Sequence, residues 1–418
     1  MFLLALFLAA IGLGRAWRAA GVAVGMDFYQ FWAVGQALRT MPVQNVYAEA
    51  DRVRIAADLA VRAQRDPLAY RQRAVAHFRP VLETYSTPFL YAALSVFYSS
   101  HYEYAFRAYH VFNLLCTVLA ILLFCRLLGY SWTVALLALA VAAGFFEPLV
   151  ADVRMGNVNQ IQLAGLAALC WLASRRASRA VDFGVGLATG LLVLFKPTTV
   201  FVPLLLAWWW LVTGRARRLA LAAVGVAAAL AVAFGASALL FGSWRCWSDW
   251  AVALMAMPDN IIPIDSGNFA LPLLLRVATG IEFRGWLTII FLLPALFGFW
   301  RQRRAPLDNE RLNAAYIVGL GGLIYLLGAK LVWLHYFTAT IPLLLVGLRP
   351  RAHAGEAPVV DALLPLAAPV MLCVTPLFGV TDPFLAGALI CGGALLLYLL
   401  ALLALTLTPG KTPGGGPD

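Results

Sequence analysis

Apolar stretches recur along the whole chain, and short polar turns separate them. A helix that crosses the hydrocarbon core of a bilayer needs about 20 predominantly apolar residues, so this pattern predicts an all-α polytopic membrane protein. We expect about twelve membrane helices, some of them short or re-entrant, with both termini on the cytoplasmic side. Their predicted ranges are 1–14, 105–128, 132–149, 159–174, 182–195, 197–212, 217–241, 285–300, 312–329, 331–348, 362–378 and 384–407.

Two parts of this series are not simple complete spans. The segments on either side of Lys196 and Pro197 are too short for two spans of about 20 residues. Because proline ends or kinks a helix, we predict two short helices that meet below the outer surface, with Lys196 at the tip. The first apolar segment is also short and has no A-x-A cleavage signal, so we expect an uncleaved first helix.

Composition agrees with one integral membrane domain. Of the 418 residues, 62% are hydrophobic and 12% are charged; the expected domain covers 1–408, and 409–418 form a disordered cytoplasmic tail. The net charge of +11 lies largely in arginine clusters, which indicates cytoplasmic loops beside membrane lipids rather than nucleic-acid binding. The clusters that set this orientation are Arg126, Arg175, Arg176, Arg179, Arg215, Arg217, Arg218, Arg301, Arg303, Arg304, Arg349 and Arg351.

Two long segments, 15–104 and 242–284, then lie outside the cytoplasm. The first is basic, but a loop longer than about 60 residues crosses a membrane largely regardless of its charge. Within it, Ile55, Leu59 and Arg62 follow helical spacing, which predicts amphipathic helices on the membrane surface. The second segment is rich in tryptophan, which serves either as an interfacial anchor or as a stacking surface for sugar rings.

Four polar segments interrupt the apolar sequence, at 26–32, 151–160, 194–199 and 329–337. Charges and amides cost several kcal/mol at bilayer depth, so they persist mainly where they line a protected cavity. All four segments can be assigned to the same side of the membrane. We therefore predict a single site at one membrane face.

Asp27 follows the first span and lies among apolar and aromatic residues. It is either an interfacial acid or helix N-cap, or a general base at the outer mouth of the bundle. A partly screened carboxylate can accept the proton of a sugar hydroxyl as that hydroxyl attacks. In the second case we expect Tyr29 among the nearby sugar or acceptor contacts.

Lys196 lies in an apolar run with no acidic neighbour in sequence, and a buried lysine needs an anion. Its partner is either a carboxylate, that of Asp152 or Asp27, or the phosphate of a lipid. Arg154 and Lys330 are further candidate ligands of a donor phosphate.

Amides and a tryptophan complete the candidate contacts to sugar or acceptor. In the 151–160 segment, helix capping and loop hydrogen bonding are the alternative explanation. The candidates are Asn157, Asn159, Gln160, Trp250 and Asn268.

His335 lies in a sharp turn between two predicted spans, where a structural role is the simplest explanation. Alternatively, it orients the base, shares its proton or donates to a leaving phosphate. The other histidines show no HExxH spacing and the six cysteines no CxxC, so we expect no metal. The sequence has no Walker motif and no GxGxxG in a βαβ unit, so we expect no cofactor. A sugar donor used outside the cell would then be lipid-linked, because nucleotide sugars are not available there.

The order of these elements resembles the GT-C superfamily, specifically glycosyltransferase family 87, which uses polyprenyl-phosphate sugars such as polyprenyl-phosphate mannose. The resemblance covers about 27–342 of the chain. Its elements are Asp27, residues 45–47, Tyr85 with Pro88, residues 156–159, Lys196 with Pro197, and His335 with Tyr336 and Pro342.

The resemblance implies a GT-C fold, with Asp27 as catalytic base, His335 near the donor phosphate or the base, and Lys196 as a donor contact. The chain departs from the family pattern at two positions. Asn157 stands where glutamine is commoner, and Thr87 stands where a second proline is expected. Both lie near the presumed cavity.

The resulting hypothesis is an inverting, metal-independent glycosyltransferase of a bacterial inner membrane. It would move a hexose, with mannose as first choice, from a polyprenyl-phosphate donor to a hydroxyl of a glycolipid or envelope polysaccharide at the periplasmic face. A secondary transporter or lipid flippase is the alternative, since it shares a polar site and broken helices. A third possibility, a non-catalytic scaffold for envelope assembly, gives no reason for Lys196.

Overall fold

The computed structural model describes residues 1–257, 262–283, 285–303, 310–349 and 380–407, and this part of the chain is helical, without a β-strand. The α-helices are α1 (Phe2–Val22), α2 (Met26–Thr40), α3 (Glu49–Arg65), α4 (Tyr70–Phe78), α5 (Pro88–Leu94), α6 (Tyr102–Leu127), α7 (Trp132–Phe145), α8 (Glu147–Met155), α9 (Asn159–Ala173), α10 (Arg179–Phe195), α11 (Phe201–Val212), α12 (Ala216–Phe241), α13 (Cys246–Met255), α14 (Leu271–Thr279), α15 (Trp286–Gln302), α16 (Glu310–Gly328), α17 (Ile341–Gly347) and α18 (Pro383–Leu407). Short 3-10 helices cover Ser95–Phe97, Pro197–Thr199, Ile264–Ser266 and Leu334–Thr340.

Five helices of the described residues are long and apolar enough to cross a membrane, namely α1, α6, α12, α16 and α18. The pair α7 and α8 adds a sixth candidate, bent by 60° at its break. The prediction of an all-α polytopic membrane protein is therefore confirmed. The count of twelve spans stays a prediction. The expected span 362–378 and the expected tail 409–418 lie outside the described residues.

Three predicted helix boundaries differ from the structure. The first helix is longer than predicted and ends at Val22, so it includes the start of the expected outer segment. The predicted span 132–149 divides into α7 and α8, because Pro148 can occupy only the first turn of a helix. The predicted span 331–348 begins as a 3-10 helix at Leu334 and becomes α-helical only in α17.

The segment between α1 and α6 packs onto the helical bundle through a core of its own. As predicted, α3 is amphipathic, and its Ile55 and Leu59 are fully buried, in one cluster with the aromatic face of α2. The apolar face of α3 is thus covered by protein. The same cluster includes Val158 and Phe195, which lie at the ends of α9 and α10. This core therefore holds α2 against the point where the bundle helices end.

The break around Lys196 has the predicted form. Helix α10 ends at Phe195, and Lys196 has extended backbone angles (φ −150°, ψ 111°) before the 3-10 helix of Pro197–Thr199. A residue before proline disfavours the helical conformation, which explains the break at this position. The break places the Lys196 side chain among the ends of several helices.

Helix α10 packs closely along α12 through small residues. A β-carbon added at Gly186 would collide with the backbone of Ala222, and one added at Gly225 would collide with the backbone of Phe183. Close approach of two backbones at small residues is typical of helix pairs in membranes, where dispersion contacts drive the association. This contact fixes the helix that carries Lys196 at its end.

We expect Gly186→Leu to lower the free energy of unfolding by about 1–3 kcal/mol or more, because the new side chain overpacks the α10–α12 contact. The measurement is thermal unfolding of the purified protein in detergent. Gly184→Leu, two positions away, is the matched control, since an added β-carbon there meets no heavy atom within 4 Å. Equal melting temperatures of the two variants would contradict the proposed packing.

Candidate active site

An open cleft contains about 1510 Å³ of space between α2, the chain before α5, the start of α9, the Lys196 break and the turn after α16. All four polar segments predicted from the sequence contribute to its wall. They do so through Asp27, Asn157, Lys196 and Lys330, respectively. The four segments therefore meet at one cleft, as predicted, while its role as a site at one membrane face stays a prediction.

Asp27 is positioned by an unusual start of α2. Gly25 precedes the helix with a φ of +70°, and a β-carbon there would collide with the ring of Phe106, so only glycine fits. The hydroxyl of Tyr102 donates to the carbonyl of Gly25 at 2.8 Å. Gly25 is the N-cap residue, so the alternative in which Asp27 caps the helix is wrong. Asp27 lies in the first turn, where the helix dipole favours a negative charge.

The ammonium group of Lys196 is held by two asparagines. Its Nζ donates to Oδ1 of Asn157 at 3.0 Å and to Oδ1 of Asn159 at 2.6 Å. It also lies 4.1 Å from the ring centroid of Tyr336, a favourable cation–π distance. The side chain is largely buried but lines the cleft.

Each of the two asparagines also donates a hydrogen bond to a carboxylate. Nδ2 of Asn157 donates to Oδ2 of Asp27 at 2.7 Å, and Nδ2 of Asn159 donates to Oδ1 of Asp152 at 2.7 Å. Among the described residues, Lys196 makes no direct ion pair with either aspartate. The expected alternative of a direct pair is therefore wrong. One amide separates the cation from each carboxylate.

Asp152 forms the end of this hydrogen-bond network that lies opposite to Asp27. It is fully buried, and its second oxygen accepts a hydrogen bond of 3.0 Å from Gln160, whose own carbonyl oxygen accepts one of 2.7 Å from Thr117. Gly156, with a φ of +67°, ends α8 and lets the chain turn into Asn157 under the side chains of α2. Asp152 thus has an anchoring role beyond that of the expected partner of Lys196. Gln160, a candidate sugar or acceptor contact, is fully buried and does not line the cleft.

His335 lies beside Asp27 without a hydrogen bond to it. Its Nε2 is 3.6 Å from Oδ2 of Asp27, and its main-chain oxygen accepts a hydrogen bond of 3.2 Å from Asn159. The imidazole lies edge-on to the ring of Tyr336. His335 is therefore close enough to exchange a proton with Asp27 after a small movement or through a water molecule.

The structure brings some of the other predicted residues to the cleft but not all of them. Lys330 and Trp250 line it, and the indole of Trp250 donates to the carbonyl of Tyr85 at 3.0 Å. Asn268 is buried away from the wall, where its amide joins the backbones of Ile262 and Val332. It holds two chain segments together.

Arg154 and Tyr29 are not brought to the cleft, and for the same reason. Residues two apart on a helix point to nearly opposite sides. Arg154 is two positions after Asp152 on α8, and it is half-exposed and paired with Glu147 at 3.3 Å. Tyr29 is two positions after Asp27 on α2, and it is buried between aromatic rings.

The chain before α5 contributes residues that the sequence analysis did not single out for chemistry. Glu83 lines the cleft and pairs with Arg79 at 2.6 Å, while its main-chain N–H donates to Gln30 at 2.8 Å. Thr87 donates to the carbonyl of Leu194 at 2.6 Å and so ties this segment to the Lys196 break. The Tyr-x-x-Pro element was the only signal for this segment.

The electrostatics of Asp27 suit a proton acceptor. Burial raises the pKa of its carboxyl above the ordinary value of 3.8, while the hydrogen bond from Asn157 and the charges of Arg79 and Lys196 oppose this rise. Among the described residues, Oδ1 of Asp27 accepts no hydrogen bond, so it is available to a ligand in the cleft. Within the described residues of the whole chain, no three His, Cys, Asp or Glu side chains form a group that could hold a metal ion.

The fold and the cleft define a polytopic membrane protein with a carboxylate and a cation at one polar site. The model of glycosyltransferase family 87 matches residues 84–328, more than half of the chain, and the chain belongs to this family. It is therefore a glycosyltransferase. The matched range includes Asn157 and Lys196. Asp27 lies before this range and His335 lies after it. No curated protein and no solved structure matches the chain.

We expect Asp152→Asn to lower the free energy of unfolding by about 1–3 kcal/mol, because an amide cannot accept from both Asn159 and Gln160 and leaves a buried donor unpaired. Thermal unfolding in detergent measures the change. Glu147→Gln is the matched control. It also changes a carboxylate of α8 to an amide, but the partner of Glu147, Arg154, is half-exposed. A comparable loss in both variants would contradict the anchoring role of Asp152.

Proposed function

We propose that the protein is an inverting glycosyltransferase that moves a hexose from a polyprenyl phosphate to an acceptor hydroxyl, with mannose as the first candidate sugar. One observation carries the proposal: Asp27 and Lys196 line the same cleft and are joined through a single amide, that of Asn157. A base and a phosphate-binding cation are the two groups that such a transfer needs.

In this mechanism Asp27 accepts the proton of the acceptor hydroxyl. The hydroxyl oxygen bonds to the anomeric carbon while the bond from that carbon to the phosphate oxygen breaks, and the polyprenyl phosphate leaves with the electron pair. Attack opposite to the leaving group inverts the anomeric configuration. Asp27 lines the cleft with an Oδ1 that accepts no hydrogen bond from the described residues, and His335 is placed to receive or share the proton afterwards.

Lys196 stabilises the leaving phosphate. Its ammonium is already oriented by Asn157 and Asn159, so little reorganisation is needed as the negative charge develops. Lys330 lies on the same cleft wall and is a second candidate contact to the phosphate. Arg154 has no part in the proposal because it points away from the cleft.

A lipid-linked donor suits the composition of the cleft. Beside the charged groups, its wall includes apolar side chains such as Phe195, Leu254 and Met257, which are compatible with an isoprenoid chain. The sugar would lie between Trp250, Gln30 and Glu83, where an aromatic ring and two polar groups face the open space. The acceptor is a hydroxyl of a glycolipid or glycan.

The arrangement of charges along the bundle favours an outward-facing cleft. Helices α9 and α10 have one end at the cleft, and their other ends lie at the Arg175–Arg176–Arg179 cluster. Arginine-rich short loops usually face the cytoplasm. We therefore place the transfer at the periplasmic side of a bacterial inner membrane. Membership of a glycosyltransferase family favours this function over the transporter and scaffold alternatives.

A transfer assay tests the function directly. The purified full chain is given radiolabelled polyprenyl-phosphate mannose with a panel of alkyl glycosides as acceptors, and GDP-mannose is given in a parallel reaction. We expect label in the alkyl glycoside only with the lipid-linked donor. Transfer from GDP-mannose alone would contradict the proposed donor. Proton NMR of the product then shows whether the anomeric configuration has inverted.

We expect Asp27→Asn to reduce the transfer rate by about 10²–10⁴-fold, because the amide cannot accept the proton. The variant should bind the donor as the wild type does, which is measured by the thermal stabilisation that the donor produces. Glu83→Gln makes the same change from carboxylate to amide at the other carboxylate of the cleft wall, and as a sugar contact it should lose less activity than Asp27→Asn. If Glu83→Gln abolishes transfer while Asp27→Asn retains most of it, Glu83 is the base instead.

The pH dependence of the wild-type rate is a second test of Asp27. The carboxylate must be deprotonated to accept a proton, and burial raises its pKa above the ordinary value of 3.8, so the transfer rate should already decline with falling pH at values above 3.8.

We expect Lys196→Met to abolish the stabilisation of the protein by polyprenyl phosphate while leaving it folded, since Asp27 and Asp152 each keep an amide donor. For the wild type, a ligand at 100 times its dissociation constant adds about 2.7 kcal/mol to the free energy of unfolding. Thermal unfolding with and without polyprenyl phosphate measures this difference. An unchanged lipid effect in the variant would mean that Lys196 has only a structural role.

A further inference from the structure

At the end of the bundle opposite to the cleft, the turns between α9 and α10 and between α11 and α12 enclose a second open pocket with about 830 Å³ of space. Its wall contains five arginines and one acidic residue, Glu310. The arginines are Arg175, Arg176, Arg215, Arg217 and Arg218. Helix α9 connects the cleft to this pocket, and its 15 residues correspond to about 22 Å. The pocket is therefore separate from the proposed active site.

Charge pairing inside the pocket is incomplete. Arg215 pairs with Glu310 at 2.5 Å, and Arg218 pairs with the buried Asp182 at 2.7 Å. The remaining three arginines of the wall leave a surplus of positive charge. Among the described residues, Nη2 of Arg218 is buried and has no hydrogen-bond acceptor, although Arg218 as a whole is 8% exposed. A buried guanidinium donor without an acceptor is costly, so this position favours an anion.

Two of the arginines, Arg175 and Arg218, are also held against aromatic rings before any ligand arrives. The guanidinium of Arg175 lies 4.1 Å from the ring centroid of Trp171, and that of Arg218 lies 4.9 Å from the ring centroid of Trp210. Stacking on an aromatic face fixes the plane of a guanidinium and leaves its edge free for a bidentate contact. Helix α12 also begins at this pocket, and no side chain caps its first amides. Such amides are a further binding site for an anion.

We propose that this pocket binds a phosphate group, supplied either by the headgroup of an anionic lipid or by free phosphate. The arginine edges and the first amides of α12 would surround the phosphate oxygens, as in other phosphate sites built at a helix start. The inference does not depend on the reaction at the cleft.

The test compares two double variants of the full chain with equal loss of charge. Arg176→Gln with Arg217→Gln removes two exposed arginines of the pocket, and Arg301→Gln with Arg303→Gln removes two exposed arginines at the end of α15, outside it. Because none of the four is part of a buried ion pair of the structure, we expect all variants to fold.

Native mass spectrometry measures binding of phosphatidylglycerol, with phosphatidylcholine as the neutral reference, and thermal unfolding measures stabilisation by inorganic phosphate. We expect the pocket variant to weaken binding of the effective probe on the order of 25-fold, since each basic group contributes about fivefold to such attraction. The control variant should bind like the wild type. A loss confined to phosphatidylglycerol identifies a lipid headgroup, and a loss with inorganic phosphate identifies the free ion. Equal binding by both variants with both probes overturns the proposal.

Discussion

The interaction on which the site depends is the pair of hydrogen bonds from the ammonium of Lys196 to Asn157 and Asn159. A buried lysine is costly unless its charge is balanced, and here two aspartates balance it through amides. This arrangement leaves both functional groups available. A direct ion pair would have consumed the carboxylate of Asp27 and the cation of Lys196 together. With an amide between them, Asp27 and Lys196 line one cleft without a direct ion pair.

The rest of the fold serves to bring these groups to one place. Proline at 197 ends α10 so that Lys196 lies at a helix break, and close packing of Gly186 and Gly225 fixes α10 against α12. The aromatic core under α2 holds Asp27 over the end of α9, where Gly25 permits the required turn. The break at Lys196, the contact between α10 and α12 and the core under α2 each arise from a short part of the sequence. The site forms only where these three features meet. The chain belongs to glycosyltransferase family 87, and this cleft is the place that we propose for the sugar transfer.

Much of this organisation could be predicted from the sequence, because the membrane makes polar residues rare and expensive. The convergence of the four polar segments and the break at Lys196 follow from that cost and from proline geometry. Two of the errors have a common origin in helix phase. Arg154 and Tyr29 were placed at the site for their proximity in sequence to Asp152 and Asp27, yet a separation of two residues turns them to the other side. The bridging role of Asn157 was not predictable, since it joins residues that are far apart in the chain.

We propose that the donor phosphate binds at Lys196, next to Asp27. A cryo-EM structure of the full chain with polyprenyl phosphate bound tests this proposal. We expect phosphate density within hydrogen-bonding distance of Nζ of Lys196, with Oδ1 of Asp27 facing the space in front of it. Phosphate density elsewhere in the protein, with the hydrogen bonds of Lys196 to Asn157 and Asn159 unchanged and no ligand beside them, would show that Lys196 does not bind the donor.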